Sequence, residues 1–108
     1  GWCLDYPDEN NWVLEVFHPT KSNNRPKWDK DSAGAKKFMD LTERAAADPD
    51  PAKRKELYFE AEKVLCSEEA IIIPIYFYGS QGLTRPYVER TYSKQSISHY
   101  NLWKVKAH

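Results

Sequence analysis

The spacing of apolar residues changes character several times along the chain. In the first six residues Trp2, Leu4 and Tyr6 alternate with Cys3 and Asp5, the period of two expected of a short strand, which Pro7-Asp8 closes. Asn10 or Asn11 then suits the N-cap of a short helix carrying Trp12, Val13, Val16 and Phe17. Positions 18–30 hold Pro19, Pro26 and the Ser22-Asn23-Asn24 cluster, turn formers that predict a loop.

A helical period follows. Between about 32 and 47 the stripe Ala35, Phe38, Met39, Leu41, Ala45 predicts an amphipathic helix. The segment Ala47-Asp48-Pro49-Asp50-Pro51 interrupts it, with Asp50 placed as an N-cap and Pro51 as the first residue of a new helix. That helix is predicted over 51–66, because Leu57, Tyr58, Ala61, Val64 and Leu65 recur at helical spacing. Two helices joined by so short a link are expected to form an antiparallel hairpin.

The helical period is lost at Ala70-Ile71-Ile72-Ile73-Pro74-Ile75-Tyr76-Phe77-Tyr78. This continuous apolar run, rich in β-branched residues, predicts a strand covered on both faces. Pro74 withholds one ladder donor, so the strand is expected to be an edge, or bulged or broken there. Positions 79–86, with Gly79, Gly82 and Pro86, read as a crossing or hinge. Tyr87-Val88 and Asn101-Leu102-Trp103-Lys104-Val105 read as short terminal strands. A helix hairpin between strands predicts an α/β or α+β piece.

Composition sharpens this picture in two ways. The 108 residues suffice for one domain, and a chain of this size buries only about two-thirds of its unfolded surface. The abrupt start, with neither leader nor helix signal, reads as the interior of a longer protein cut just before a strand. Such a piece is expected to need a partner, or self-association, to cover its apolar edges. Secondly, 16 Lys and Arg balance 16 Asp and Glu. Zero net charge argues against a general nucleic-acid or anionic-membrane binder. The Lys36-Lys37 pair, flanked by acids, reads as a solvated helix face. No apolar run approaches the ~18 residues needed to span a bilayer.

Signatures of catalysis are missing: there is no HExxH, P-loop, GxGxxG or GxSxG. His18, His99 and His108 have no ligand partner at helical spacing. The pairs Asp5/Asp8 and Glu68/Glu69 read as turn and cap carboxylates. No catalytic residue, metal site or cofactor is therefore expected. Cys3 and Cys66 fit neither a zinc site nor a CxxC motif. They can pair with each other, pair with cysteines outside this sequence, or stay free.

The aromatic residues carry more signal. Trp2 and the Tyr76-Phe77-Tyr78 run fall at the ends of two expected strands, where open α/β sheets bind ligands. Phe77 is expected in the core. Trp2 and Tyr78 suit either a core or a pocket wall. Asp5 suits either a turn or a site for a cation, best a primary ammonium with its three donors.

Three segments then stand in a telling order: Gly1-Trp2-Cys3-Leu4-Asp5-Tyr6, then Leu57-Tyr58-x-x-Ala61-Glu62, then Ile73-Pro74-Ile75-Tyr76-Phe77-Tyr78 followed by Leu83-x-x-Pro86. Together they resemble the C-terminal part of the bacterial extracellular solute-binding proteins of family 5, the oligopeptide- and dipeptide-binding components of ABC importers. The resemblance implies a piece of a type II periplasmic-binding-protein-like fold. Residues 1–78 would end one ligand-binding lobe, and 79–108 would cross the hinge and return into the other. It implies a non-catalytic receptor that captures extended peptides outside the cytoplasmic membrane and delivers them to a membrane permease. Asp5 would pair with the peptide α-amino group. The backbone of Gly1 to Cys3 would hydrogen-bond the peptide as an added strand. Trp2 would wall a side-chain pocket, and Tyr78 would lie near the ligand. In some relatives the cysteine matching Cys3 is bonded to one further upstream; Cys66 has no such counterpart. Two alternatives remain: the same fold holding a non-peptide solute such as a sugar or metal chelate, and a stand-alone helix-hairpin interaction module.

Overall fold

Side-chain caps fix where the two longest helices begin. In the computed structural model, which describes residues 2, 5–21, 23–77, 79, 81–91 and 99–107, helix α2 spans Ala33–Ala47 and helix α3 spans Pro51–Lys63. Ser32 Oγ accepts from the Ala35 amide at 3.2 Å, and Asp50 Oδ1 accepts from the Ala52 amide at 2.9 Å. Each cap satisfies a donor that the first turn leaves open, worth about 1 kcal/mol. Helix α1 spans Asn10–Phe17 and begins differently from expectation. Its N-cap is Glu9, which makes no side-chain cap bond, while Asp8 Oδ1 accepts from the Asn10 amide at 2.8 Å. Asn10 and Asn11 therefore lie inside the helix, which frees their side chains for other partners.

The chain divides into two compact units, Gly1–Ile75 and Tyr76–His108. In the first, α2 and α3 pack along one another and α1 lies against both. Val13, Trp28, Ala35, Phe38, Ala45, Tyr58, Ala61, Val64 and Leu65 form its core. Phe38 and Tyr58 are its largest fully buried apolar-bodied side chains. Burial of such a side chain contributes about 1.5–3 kcal/mol. The small residues Ala35, Ala45 and Ala61, all without exposure, let the helices approach closely. Trp28 joins this core from the segment expected to be loop. Its ring meets Phe38 at a centroid distance of 5.3 Å. Asn24 holds it in place, bonding the Trp28 carbonyl and amide at 2.9 Å each.

Buried polar groups in this unit have local jobs. Thr42 donates to the Phe38 carbonyl, one turn back, at 2.9 Å. His18, without exposure, ends α1. Its Nδ1 accepts from the Thr20 and Lys21 amides at 3.2 and 3.0 Å. Its Nε2 lies 3.4 Å from Glu43 Oε1, which also takes Lys21 Nζ at 2.8 Å. Two amides aimed at Nδ1 leave the ring proton on Nε2. Burial pushes the His18 pKa down; Glu43 opposes this and Lys21 adds to it.

The second helix of the hairpin ends in a π-helical turn, Val64–Glu68, rather than running unbroken to 66. The Glu69 amide reaches the Val64 carbonyl at 3.0 Å, and the Ile71 amide reaches Leu65 at 2.9 Å. Ala70 takes a left-handed backbone, φ 48°, to make this closure. Cys66 is a free thiol among the described residues, and Cys3 lies outside them. Burial pushes the Cys66 pKa up, with Glu62 adding to the effect.

Two expected strands differ from expectation. Of residues 1–6, Trp2, Asp5 and Tyr6 are described and none is in a strand; Asp5 to Asp8 form a bend. In the run 70–78, the described residues are not strand either. Ile71 and Ile72 pack partly on the helical core. Beyond them Ile73 is 78% exposed, Ile75 85%, and Phe77 fully so, although Phe77 was expected in the core. Strand propensity expresses packing against a neighbour, and the run has no paired strand among the described residues.

The second unit is small. Strands β1 (Val88–Glu89) and β2 (Lys104–Val105) pair antiparallel, with Val88 opposite Val105. Both fall within or beside the stretches expected as terminal strands, but Tyr100–Leu102 is a 3₁₀ turn. Arg90 stacks its guanidinium 4.6 Å from the Trp103 ring centroid, and Tyr100 meets the same ring edge-on at 4.8 Å. Lys106 pairs with Glu89 across the ladder. Among the described residues the chain is thus mixed α and β, three α-helices with one two-stranded sheet.

Candidate functional site

The site expected from sequence is Trp2, Asp5, Gly1, Cys3 and Tyr78. Of these, Gly1, Cys3 and Tyr78 lie outside the described residues. Trp2 and Asp5 are described, and one side chain brings them together. Asn11 is wholly buried in α1. Its Oδ1 accepts from Trp2 Nε1 and from the Asp5 amide, both at 3.1 Å. The indole N–H of Trp2 is therefore engaged, and its ring is half-buried. The Asp5 side chain is exposed, and among the described residues its carboxylate makes no hydrogen bond or ion pair. It is an acceptor-only group open to an incoming donor.

A polar network continues from Asn11 into the helices. Asn11 Nδ2 donates to Glu15 Oε2 at 2.8 Å, and Tyr6 donates its hydroxyl to Glu15 Oε1 at 2.6 Å. Asn10 Nδ2 donates to the Tyr6 oxygen at 2.7 Å, and the Tyr58 hydroxyl donates to Asn10 Oδ1 at 2.9 Å. Both phenols stay protonated. The Glu15 hydrogen bond raises the pKa of Tyr6, and burial pushes that of Tyr58 up to about 12.

A second clamp holds the same bend. Arg54 Nη2 contacts both Asp8 carboxylate oxygens at 2.7 Å, and Arg54 Nη1 donates to the Ala45 carbonyl at 3.2 Å. The guanidinium also lies 5.6 Å from the Tyr58 ring centroid. Charge-assisted bonds of this kind contribute about 1.5–3 kcal/mol. They tie the segment before α1 to both helices of the hairpin.

The sequence reading missed Asn11, Glu15 and Arg54. Asn10-Asn11 carried a usable signal, since asparagine is unfavourable inside a helix unless its side chain has a task there. Arg54 carried none, because its partner Asp8 is 46 residues away. A shallow depression of about 410 Å³ lies beside the bend, lined by Pro7, Asp8, Glu9, Trp12, Val13 and Glu62. Trp2 and Asp5 are not part of it. No cluster of His, Cys, Asp and Glu able to hold a metal ion occurs among the described residues. No described helix is long and apolar enough to cross a membrane.

Over 113 aligned positions the chain is 28% identical to the periplasmic oligopeptide-binding protein OppA of Salmonella typhimurium. The match takes in 98% of this chain and 19% of OppA, so the chain spans about a fifth of that relative's length. No protein-family profile matches the chain, and no solved structure matches it.

Proposed function

We propose that this chain is part of a non-catalytic solute-binding protein that captures extended peptides outside the cytoplasmic membrane for an ABC importer. The observation that carries this reading is the similarity to OppA along nearly the whole chain, a protein whose name describes oligopeptide binding in the periplasm. The site geometry supports it. Among the described residues the Asp5 carboxylate is unengaged, as a peptide α-ammonium requires, and Asn11 ties its backbone to Trp2.

In this reading Asp5 takes the α-ammonium through charge-assisted hydrogen bonds. Trp2 walls a side-chain pocket, the backbone of Gly1 to Cys3 pairs with the peptide as an added strand, and Tyr78 lies near the ligand. Main-chain pairing binds many sequences, because it does not read side chains. Residues 1–78 end one lobe of a type II binding-protein fold; 79–108 cross the hinge and return into the other. The partners are the peptide and a membrane permease.

Calorimetric titration of the full-length protein against a panel of short peptides, each free or acetylated at its N-terminus, tests the proposal. Free peptides are expected to bind, with acetylation weakening affinity at least tenfold, about 1.4 kcal/mol. Binding of neither form across the panel overturns the peptide reading in favour of a non-peptide solute. Equal binding of both forms removes the ammonium role from Asp5.

A further inference from the structure

Among the described residues the exposed Asp5 carboxylate has no bond of its own to hold it, so its backbone must set where it stands. That backbone is fixed from within α1. The geometry points to Asn11 as a positioning residue for the ammonium site, with Glu15 setting the orientation of its amide. The inference rests on the peptide reading above and assigns roles to residues that do not themselves touch the ligand.

The orientation follows from donor and acceptor chemistry. Trp2 Nε1 and the Asp5 amide can only donate, so the oxygen of Asn11 must face them. The Glu15 carboxylate can only accept, so the nitrogen of Asn11 must face it. An amide held this way at both ends cannot turn over. Glu15 is in turn held by the Tyr6 hydroxyl, which takes a hydrogen from Asn10, which accepts one from Tyr58 in the helical core. The hydrogen bonds therefore run in one consistent sense from Tyr58 to Glu15, where they meet the amide that holds Trp2 and Asp5. Full burial of Asn11 keeps water from substituting for its oxygen.

This arrangement separates two kinds of affinity. Contacts along the peptide main chain do not depend on where the Asp5 carboxylate stands, whereas recognition of the free amine does. Loss of the Asn11 oxygen is expected to loosen Asp5 relative to Trp2 and to weaken recognition of the free amine more than main-chain pairing.

The test uses trialanine and N-acetyl-trialanine, titrated calorimetrically into the full-length protein, with folding checked by circular dichroism. The readout is the ratio of the two dissociation constants. Wild type is expected to prefer the free peptide, and Asp5→Asn to abolish that preference. Asn11→Ala is expected to lower the preference about tenfold. The double variant is expected to show no further loss beyond Asp5→Asn, since both changes act on one interaction. A positioning role is overturned if Asn11→Ala shifts both affinities by the same factor, or leaves the ratio unchanged. Glu15→Leu, at a half-buried helix position, covers the case in which Asn11→Ala does not fold. It removes the acceptor that orients the amide and is expected to lower the ratio about threefold; an unchanged ratio sinks the inference. If wild type itself shows no preference, the ammonium role of Asp5 has failed, and the positioning role falls with it.

Discussion

The inward stripe of the helix hairpin and the run 73–77 are both apolar, yet they end in opposite environments. In the hairpin, Phe38, Tyr58, Val64 and Leu65 lose almost all contact with water. Along the run, Ile73, Ile75, Tyr76 and Phe77 keep most of theirs. The difference lies in how each element finds its partners. A helix satisfies its own backbone and can bury one face against a neighbour a short link away. A strand needs a second strand for its amides and carbonyls before either face can be covered. Apolar composition alone therefore does not say whether a segment is buried within its own chain.

The largest expected effect tests that contrast directly. Phe38→Ala should destabilise the 108-residue chain by about 3–5 kcal/mol. Phe77→Ala should change it by no more than about 0.5 kcal/mol. Chemical denaturation of the two variants would break the comparison if their costs were alike.

A smaller effect comes from the polar lining of the helical unit. His18 has its pKa pushed below the ordinary value by burial. Well above pH 6.5 both folded and unfolded chains carry it neutral, and its contribution to stability is complete. As pH falls below that, the unfolded chain takes up the proton first, so stability declines until the folded pKa is passed. The slope is at most about 1.4 kcal/mol per pH unit. Melting temperatures measured between about pH 7.5 and pH 5.5 should fall with acidification, and His18→Gln should flatten that dependence. A His18→Gln variant whose melting temperature fell as steeply on acidification as that of wild type would contradict the lowered pKa of His18.

The smallest effect falls where the two regions meet. Ala70 stands in a left-handed conformation that costs a residue with a Cβ about 1 kcal/mol. Ala70→Gly should raise stability by about 0.5 kcal/mol, the relief of strain being partly offset by a more flexible unfolded chain. A measurable loss on denaturant titration would instead mean that the turn closing the hairpin is not in this conformation.

Particular residues show what could be read in advance. Ser32 and Asp50-Pro51 announce helix starts through chemistry that reaches only a few positions along the chain. The same is true of the stripes that place Phe38, Tyr58 and Ala61 inward. Asn11 was legible only as a polar residue near a helix start, and two neighbouring asparagines competed for that place. Which of them turned inward was decided by Trp2 and Asp5 on one side and Glu15 on the other. Trp28 and His18, from the segment expected as loop, were drawn inside by Phe38 and by backbone amides respectively.

The local pattern of residues thus determined α2 and the start of α3, their caps and the core-facing stripes, because those depend on neighbours within about one helical turn. Tertiary structure decided the rest. It turned Asn11 into the link between Trp2 and Asp5, set Arg54 on Asp8, buried Trp28 and His18, and left the run 73–77 uncovered. Each of those outcomes depends on which groups meet in space after the chain has folded back, and spacing along a sequence does not encode that meeting.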